Sequence, residues 1–99
     1  MEDIQQLGGN IELIGFQEID GGSMIILKKV IGSYARKFSD RLGGIEKLSI
    51  RIKTVGNSQV ELTGSLIKEG QQFNSELTEY NIFVGMDALL KKLESSALK

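Results

Sequence analysis

Residues 48–66 read LSIRIKTVGNSQVELTGSL. In the first half Leu48, Ile50 and Ile52 alternate with Ser49, Arg51 and Lys53. In the second half Val60, Leu62 and Leu66 alternate with Glu61, Thr63 and Ser65, and Gly64 stands where an inward side chain is expected. Side chains along a strand point alternately to opposite faces, so each half reads as a strand with one apolar face. Gly56-Asn57-Ser58 between them suits a tight hairpin connection. Downstream, Glu69-Gly70-Gln71 turns the chain again, and Phe73, Ser75 and Leu77 alternate with Asn74, Glu76 and Thr78. Three strands joined by short turns, each with one apolar face, predict an antiparallel sheet covered on one side.

The flanking segments supply the cover. Leu27, Ile31, Tyr34, Phe38 and Leu42 recur at spacings of four, three, four and four, a single helical stripe. Asp20 or Ser23 can cap this helix, and Gly43-Gly44 ends it. Ile82, Met86, Leu89, Leu93 and Ala97 repeat the same spacing in a second helix from about Asn81. Ahead of the first helix, Asn10 to Phe16 (NIELIGF) is an apolar run of strand length. Met1 to Gly9 shows no period and reads as a flexible arm, leaving 10–99 as a single domain. The expected fold is α+β, ordered β-α-β-β-β-α. A four-stranded, mostly antiparallel sheet carries two helices packed on one face, and its other face is wet.

Ninety-nine residues make one domain, since a single core splits only beyond roughly 250 residues. Cysteine and histidine are both absent. Disulfides, thiolate nucleophiles, Cys/His zinc sites and imidazole-based catalysis are therefore excluded. No cofactor, catalytic residue or metal ligand is expected, and the chain is read as a binding protein rather than an enzyme. The longest apolar run, Met24-Ile25-Ile26-Leu27, is far short of a bilayer span of about 20 residues. The acidic start, Met1-Glu2-Asp3, does not resemble a secretory signal. A cytoplasmic protein without membrane contact is the expectation.

Several segments invite functional readings. Gly21-Gly22-Ser23 lies between a strand and a helix N-terminus, where phosphate is often held. It lacks the GxGxxG and GK[ST] patterns, and turn plus helix cap accounts for it. Glu76, Glu79, Asp87 and Glu94 are near enough in sequence to suggest paired carboxylates, but solvated surface charge explains them as well. Tyr34, Phe38 and Phe73 fall on core faces rather than on a stacking platform, and Phe83 lies at the edge of its stripe. The cations carry more information. Lys28, Lys29, Arg36, Lys37 and Arg41 face one acid, Asp40, on the first helix, and Lys91 and Lys92 add to the second. Arg51 and Lys53 belong to the wet sheet face, and Glu2, Asp3, Glu12 and Glu18 crowd the N-terminal end. A net charge of −1 thus hides a partial segregation that would suit phosphate contact by the helical layer.

The order and lengths of these elements resemble the ribosome hibernation-promoting factors, also called ribosome-associated inhibitors or the sigma-54 modulation family. Two segments carry the likeness. One runs from Ile11 to Phe38, where a short strand ending near Gly15 leads through Ile19-Asp20 into the helix of Leu27, Ile31, Tyr34 and Phe38. The other is NIFVGMDALLKKLE, Asn81 to Glu94, which is similar to the family's closing helix. The resemblance covers about residues 10–98. It implies a non-enzymatic RNA-binding protein whose partner is ribosomal RNA or the small ribosomal subunit, silencing idle ribosomes from the channel of messenger and transfer RNA. Position by position, Lys29 and Arg36 match the family's basic first helix and Lys92 its closing helix. Lys91 is the neighbour of Lys92, Arg51 is a weaker match, and Lys37, from the charge of the first helix, completes the expected RNA-binding set. Gly32, Ser33, Ser95 and Ser96 stand where the family's helices usually carry charge. The alternative is a protein-interaction module or homodimer that uses the open sheet face or an edge strand. Salt separates the two, because phosphate binding weakens steeply as salt rises.

Overall fold

The computed structural model describes residues 3–98. Seven elements follow in the order β1 (Ile4–Leu7), β2 (Ile11–Ile14), α1 (Gly21–Leu42), β3 (Lys47–Val55), β4 (Gln59–Lys68), β5 (Gln71–Glu79) and α2 (Ile82–Ala97). The strands form one sheet in chain order, β1-β2-β3-β4-β5. Only β2 and β3 pair in parallel, across the α1 crossover, and the other pairs are antiparallel. The α+β architecture is as the patterning implies, with one addition.

That addition corrects the reading of residues 1–9 as an arm. Residues 1 and 2, and Lys99 at the far end of 10–99, lie outside the described residues. Ile4–Leu7 instead forms a fifth strand, with Leu7 opposite Ile11 and Ile4 opposite Ile14. Four residues with apolar side chains only at the first and last positions show neither period, so the strand is invisible to pattern reading. Pairing makes it. The next strand is shorter than the expected 10–16, because Gly15 adopts φ +82° and bends the chain out of the ladder. A Cβ on Gly15 would lie 2.5 Å from the Ile52 carbonyl oxygen, so this position excludes any other residue.

The hairpins keep the turn chemistry of their sequences. Asn57 and Ser58 both have positive φ, and the Gly56 carbonyl accepts from the Gln59 N–H at 3.1 Å. Glu69 and Gly70 likewise take φ +52° and +77°, the left-handed pair that a two-residue hairpin demands. Both helices are N-capped, α1 by Asp20, one of the two residues the sequence offered for it, and α2 by Asn81. The Asp20 carboxylate accepts from the Ser23 N–H, which holds its pKa below the usual carboxylate range, and Asn81 accepts from Phe83 and Val84. Gly43, in the left-handed region, closes α1.

One contiguous core joins the layers. Leu27, Ile31, Ala35 and Phe38 of α1 and Met86, Leu89, Leu90 and Leu93 of α2 meet Leu13, Leu48, Ile50, Leu62 and Leu66 of the sheet. Their alternating neighbours Arg51, Lys53 and Glu61 are exposed on the opposite face. The helix over β4 and β5, α2, approaches closely because Gly64 has no side chain: a Cβ there would lie 3.0 Å from Leu93 Cδ1 and 3.2 Å from Leu89 Cδ2. Ser75, beside it, donates its hydroxyl to the Leu89 carbonyl at 3.1 Å. These two small residues let the helix settle on the strands.

Candidate nucleic-acid interface

The outward side of α1 carries a cluster of exposed cations. Lys29 and Arg36 are seven residues apart, about two turns, and so project from one side of the helix. Both are exposed, and with Lys28, Gly32 and Ser33 they line one shallow depression of about 360 Å³. Two side chains without bulk, Gly32 and Ser33, leave this hollow between three cations. Among the described residues none of the three makes an ion pair, so their full charge faces solvent. Lys28 belongs here although the family resemblance did not single it out. Its signal in the sequence is the dipeptide Lys28-Lys29, one turn before Ser33.

The remaining expected residues are arranged differently. Lys37 pairs with Glu94 at 2.7 Å and lies 5.7 Å from the centre of the Tyr34 ring. Glu94 Oε2 is the shielded oxygen, and the Lys37 ammonium is its partner. Lys91 pairs with Asp87 at 3.1 Å, and Asp87 also accepts the Tyr34 hydroxyl at 2.9 Å. Lys92 reaches back to the Glu76 carbonyl at 3.2 Å. Lys37, Lys91 and Lys92 therefore take part in the fold's own polar contacts, Lys37 and Lys91 along the α1–α2 seam. Arg51 is exposed on the far face of the sheet, beside Ile14, Ser49, Thr63 and Ser65. The structure thus brings Lys29 and Arg36 together with Lys28 and separates them from Arg51 by the whole thickness of the molecule.

Seam electrostatics follow from these contacts. Burial pushes the Tyr34 phenol up to about 12, helped by its bond to Asp87 and the negative charges of Asp87 and Glu94. The bonds from Lys91 and Tyr34 hold Asp87 below the usual carboxylate range. The four acids that invited a paired-carboxylate reading are not gathered: Asp87 and Glu94 serve the seam, Glu76 lies on the open sheet face, and the Glu79 carboxylate accepts from the Tyr80 N–H. Among the described residues no group of three or more Asp and Glu side chains is placed to hold a metal. Among the described residues no helix is long and apolar enough to cross a membrane. Phe38 is fully buried, and Tyr34, Phe73 and Phe83 pack partly buried against the core. Gly21-Gly22-Ser23 is the first turn of α1, and its Ser23 N–H donates to the capping Asp20 carboxylate.

No protein-family model and no curated protein matches the sequence. Among solved structures, the chain is similar to a ribosomal subunit interface protein from Coxiella burnetii. The two are 15% identical and superpose with a TM-score of 0.63 over 81% of this chain and 82% of that one. At that identity the likeness establishes a shared fold: two helices and a mixed sheet in the α+β arrangement of a ribosomal subunit interface protein.

Proposed function

We propose that this protein binds RNA without chemistry, associating with the small ribosomal subunit and occupying an RNA-lined site through the exposed face of α1. The observation that carries the reading is the cluster of Lys28, Lys29 and Arg36 around one hollow with no acidic neighbour paired to it. A phosphate group fits such a hollow: three donors converge, and no internal anion must first be displaced. The fold shared with a ribosomal subunit interface protein supports the choice of ribosomal RNA over other polyanions. Lys37, Lys91 and Lys92 act in this reading as secondary contacts, because each must leave an internal partner to reach phosphate. The net charge of −1 makes the interaction local rather than a matter of overall attraction.

Sedimentation of the purified chain with small ribosomal subunits through sucrose gradients tests the proposal. Cosedimentation at low salt is expected, with log affinity falling against log salt at a slope of roughly −2 to −3 for three phosphate contacts. A chain that stays at the top of the gradient at every salt concentration overturns it.

A further inference from the structure

The sheet ends on one side in β1, four residues long, and on the other in β5, nine residues long. The two-residue Glu69-Gly70 turn makes Lys68 and Gln71 the closing pair of the β4–β5 hairpin. From that register Gln71, Phe73, Ser75, Leu77 and Glu79 direct their backbone groups to β4. Gln72, Asn74, Glu76 and Thr78 direct theirs away from the sheet. The bond from Lys92 to the Glu76 carbonyl agrees with this, since only an outward carbonyl is within its reach. Among the described residues no element covers the edge. Beside it lies an open depression of about 740 Å³, bounded by Asn74, Ser75, Glu76, Lys92 and Ser96. A long uncovered edge without proline is a template for another strand.

We infer that β5 is a self-association edge, on which a second copy of this chain pairs antiparallel about a two-fold axis through Ser75. Among the described residues this register alone, of the three nearest, is complementary throughout. It sets Asn74 opposite Glu76 and Gln72 opposite Thr78, all neutral–acid or neutral–neutral pairs able to hydrogen-bond. On the other face it sets Phe73 opposite Leu77, two hydrophobics that one copy leaves only partly buried. An axis through Glu76 would oppose two carboxylates, and an axis through Asn74 would put Phe73 against Ser75 and Leu77 against Gln71. Lys92 works against the pairing. Its ammonium competes for the carbonyl that the Asn74 N–H of the second copy requires, so the internal bond weakens the intermolecular ladder. The association is therefore opposed by Lys92 and reversible.

The test contains no RNA, so its outcome is independent of the proposed function. The chain has no cysteine, so a single introduced thiol is unique. On the axis, the Cα atoms of Ser75 from two copies come to about 4.5 Å, within disulfide range. Asn74 and Glu76 lie about 8–9 Å from their own counterparts, beyond that range. Under mild oxidation Ser75→Cys is expected to give covalent dimer at least about tenfold faster than Asn74→Cys or Glu76→Cys. In sedimentation velocity the mass of the wild-type chain should rise over a roughly hundredfold concentration range. Lys92→Met should lower the dimer dissociation constant about tenfold. Asn74→Pro removes an outward N–H, which an edge strand tolerates, and should stay folded and monomeric. Wild type and Lys92→Met that both remain monomeric throughout overturn the proposal. Crosslinking of Asn74→Cys or Glu76→Cys as fast as Ser75→Cys overturns the register.

Discussion

Tyr34 and Glu69 show how a single position can be tuned by surroundings that its own element does not supply. The Tyr34 phenol, raised to about 12, stays protonated in the folded protein where a free tyrosine would already have ionised. A group whose folded pKa is raised contributes stability in full below its unfolded value, near 10, and loses it as pH climbs toward 12. Urea midpoints of the wild type should therefore fall across that alkaline window more steeply than those of Tyr34→Phe. Asp87 has the opposite sign: its lowered pKa gives stability above the unfolded value of 3.8, lost as pH falls through the folded one. Asp87→Asn should accordingly flatten the acid side of the same profile. At Glu69 the backbone is left-handed at φ +52°, where glutamate is strained and asparagine is at home. Its ion pair with Lys68, at 3.6 Å on a highly exposed carboxylate, contributes little in return. Glu69→Asn should raise stability by about 1 kcal/mol, read as a higher urea midpoint at unchanged slope.

At the scale of elements, α2 is the piece on which the packing depends. It lies on β4 and β5, fitted over Gly64 and Ser75, and its Met86, Leu89, Leu90 and Leu93 are fully buried. Leu89 sits at the centre of that stripe with 0% exposure. Leu89→Ala should cost about 2–5 kcal/mol, because the removed carbons leave a cavity between helix and sheet that Gly64 offers nothing to fill. A midpoint shift in chemical unfolding checks it, and a loss below about 1 kcal/mol would mean that the helix is not held there. In contrast, β1 is held from one side only, by four residues of β2. Its amides should exchange far faster than those of β3 and β4, which a hydrogen-exchange measurement would resolve.

Across the whole molecule the charges sort by layer. The α1 surface is cationic, the seam between helices is neutralised by Lys37–Glu94 and Lys91–Asp87, and the open sheet face mixes Arg51 and Lys53 with Glu61 and Glu76. Lys29 and Arg36 are exposed and outside the core, so their double replacement by Glu should barely move stability. In the proposed function the same variant should lose most of its association with small ribosomal subunits. The salt slope of what remains should be shallower by roughly 1 per lost phosphate contact. Unchanged cosedimentation of a folded double variant would remove α1 from the interface.

The alternation of Leu48 to Leu77 and the repeated stripes of Leu27–Leu42 and Ile82–Ala97 are local periodicities. They report which side of each element is apolar, and so they determined the α+β class, the three-strand meander and the helical cover. The absence of His and Cys, and the concentration of cations on the first helix, were equally plain in the sequence. What only the tertiary structure decided depends on partners far away along the chain. Ile4–Leu7 is a strand because β2 lies beside it, not because four residues prefer to be one. Tyr34 belongs to the seam because Asp87 is brought to it by packing. Among six cations of similar sequence context, contacts with Glu94, Asp87 and the Glu76 carbonyl distinguish Lys37, Lys91 and Lys92 from Lys29 and Arg36. A local period can specify a face, but a charge is free or engaged only according to what the fold sets opposite it.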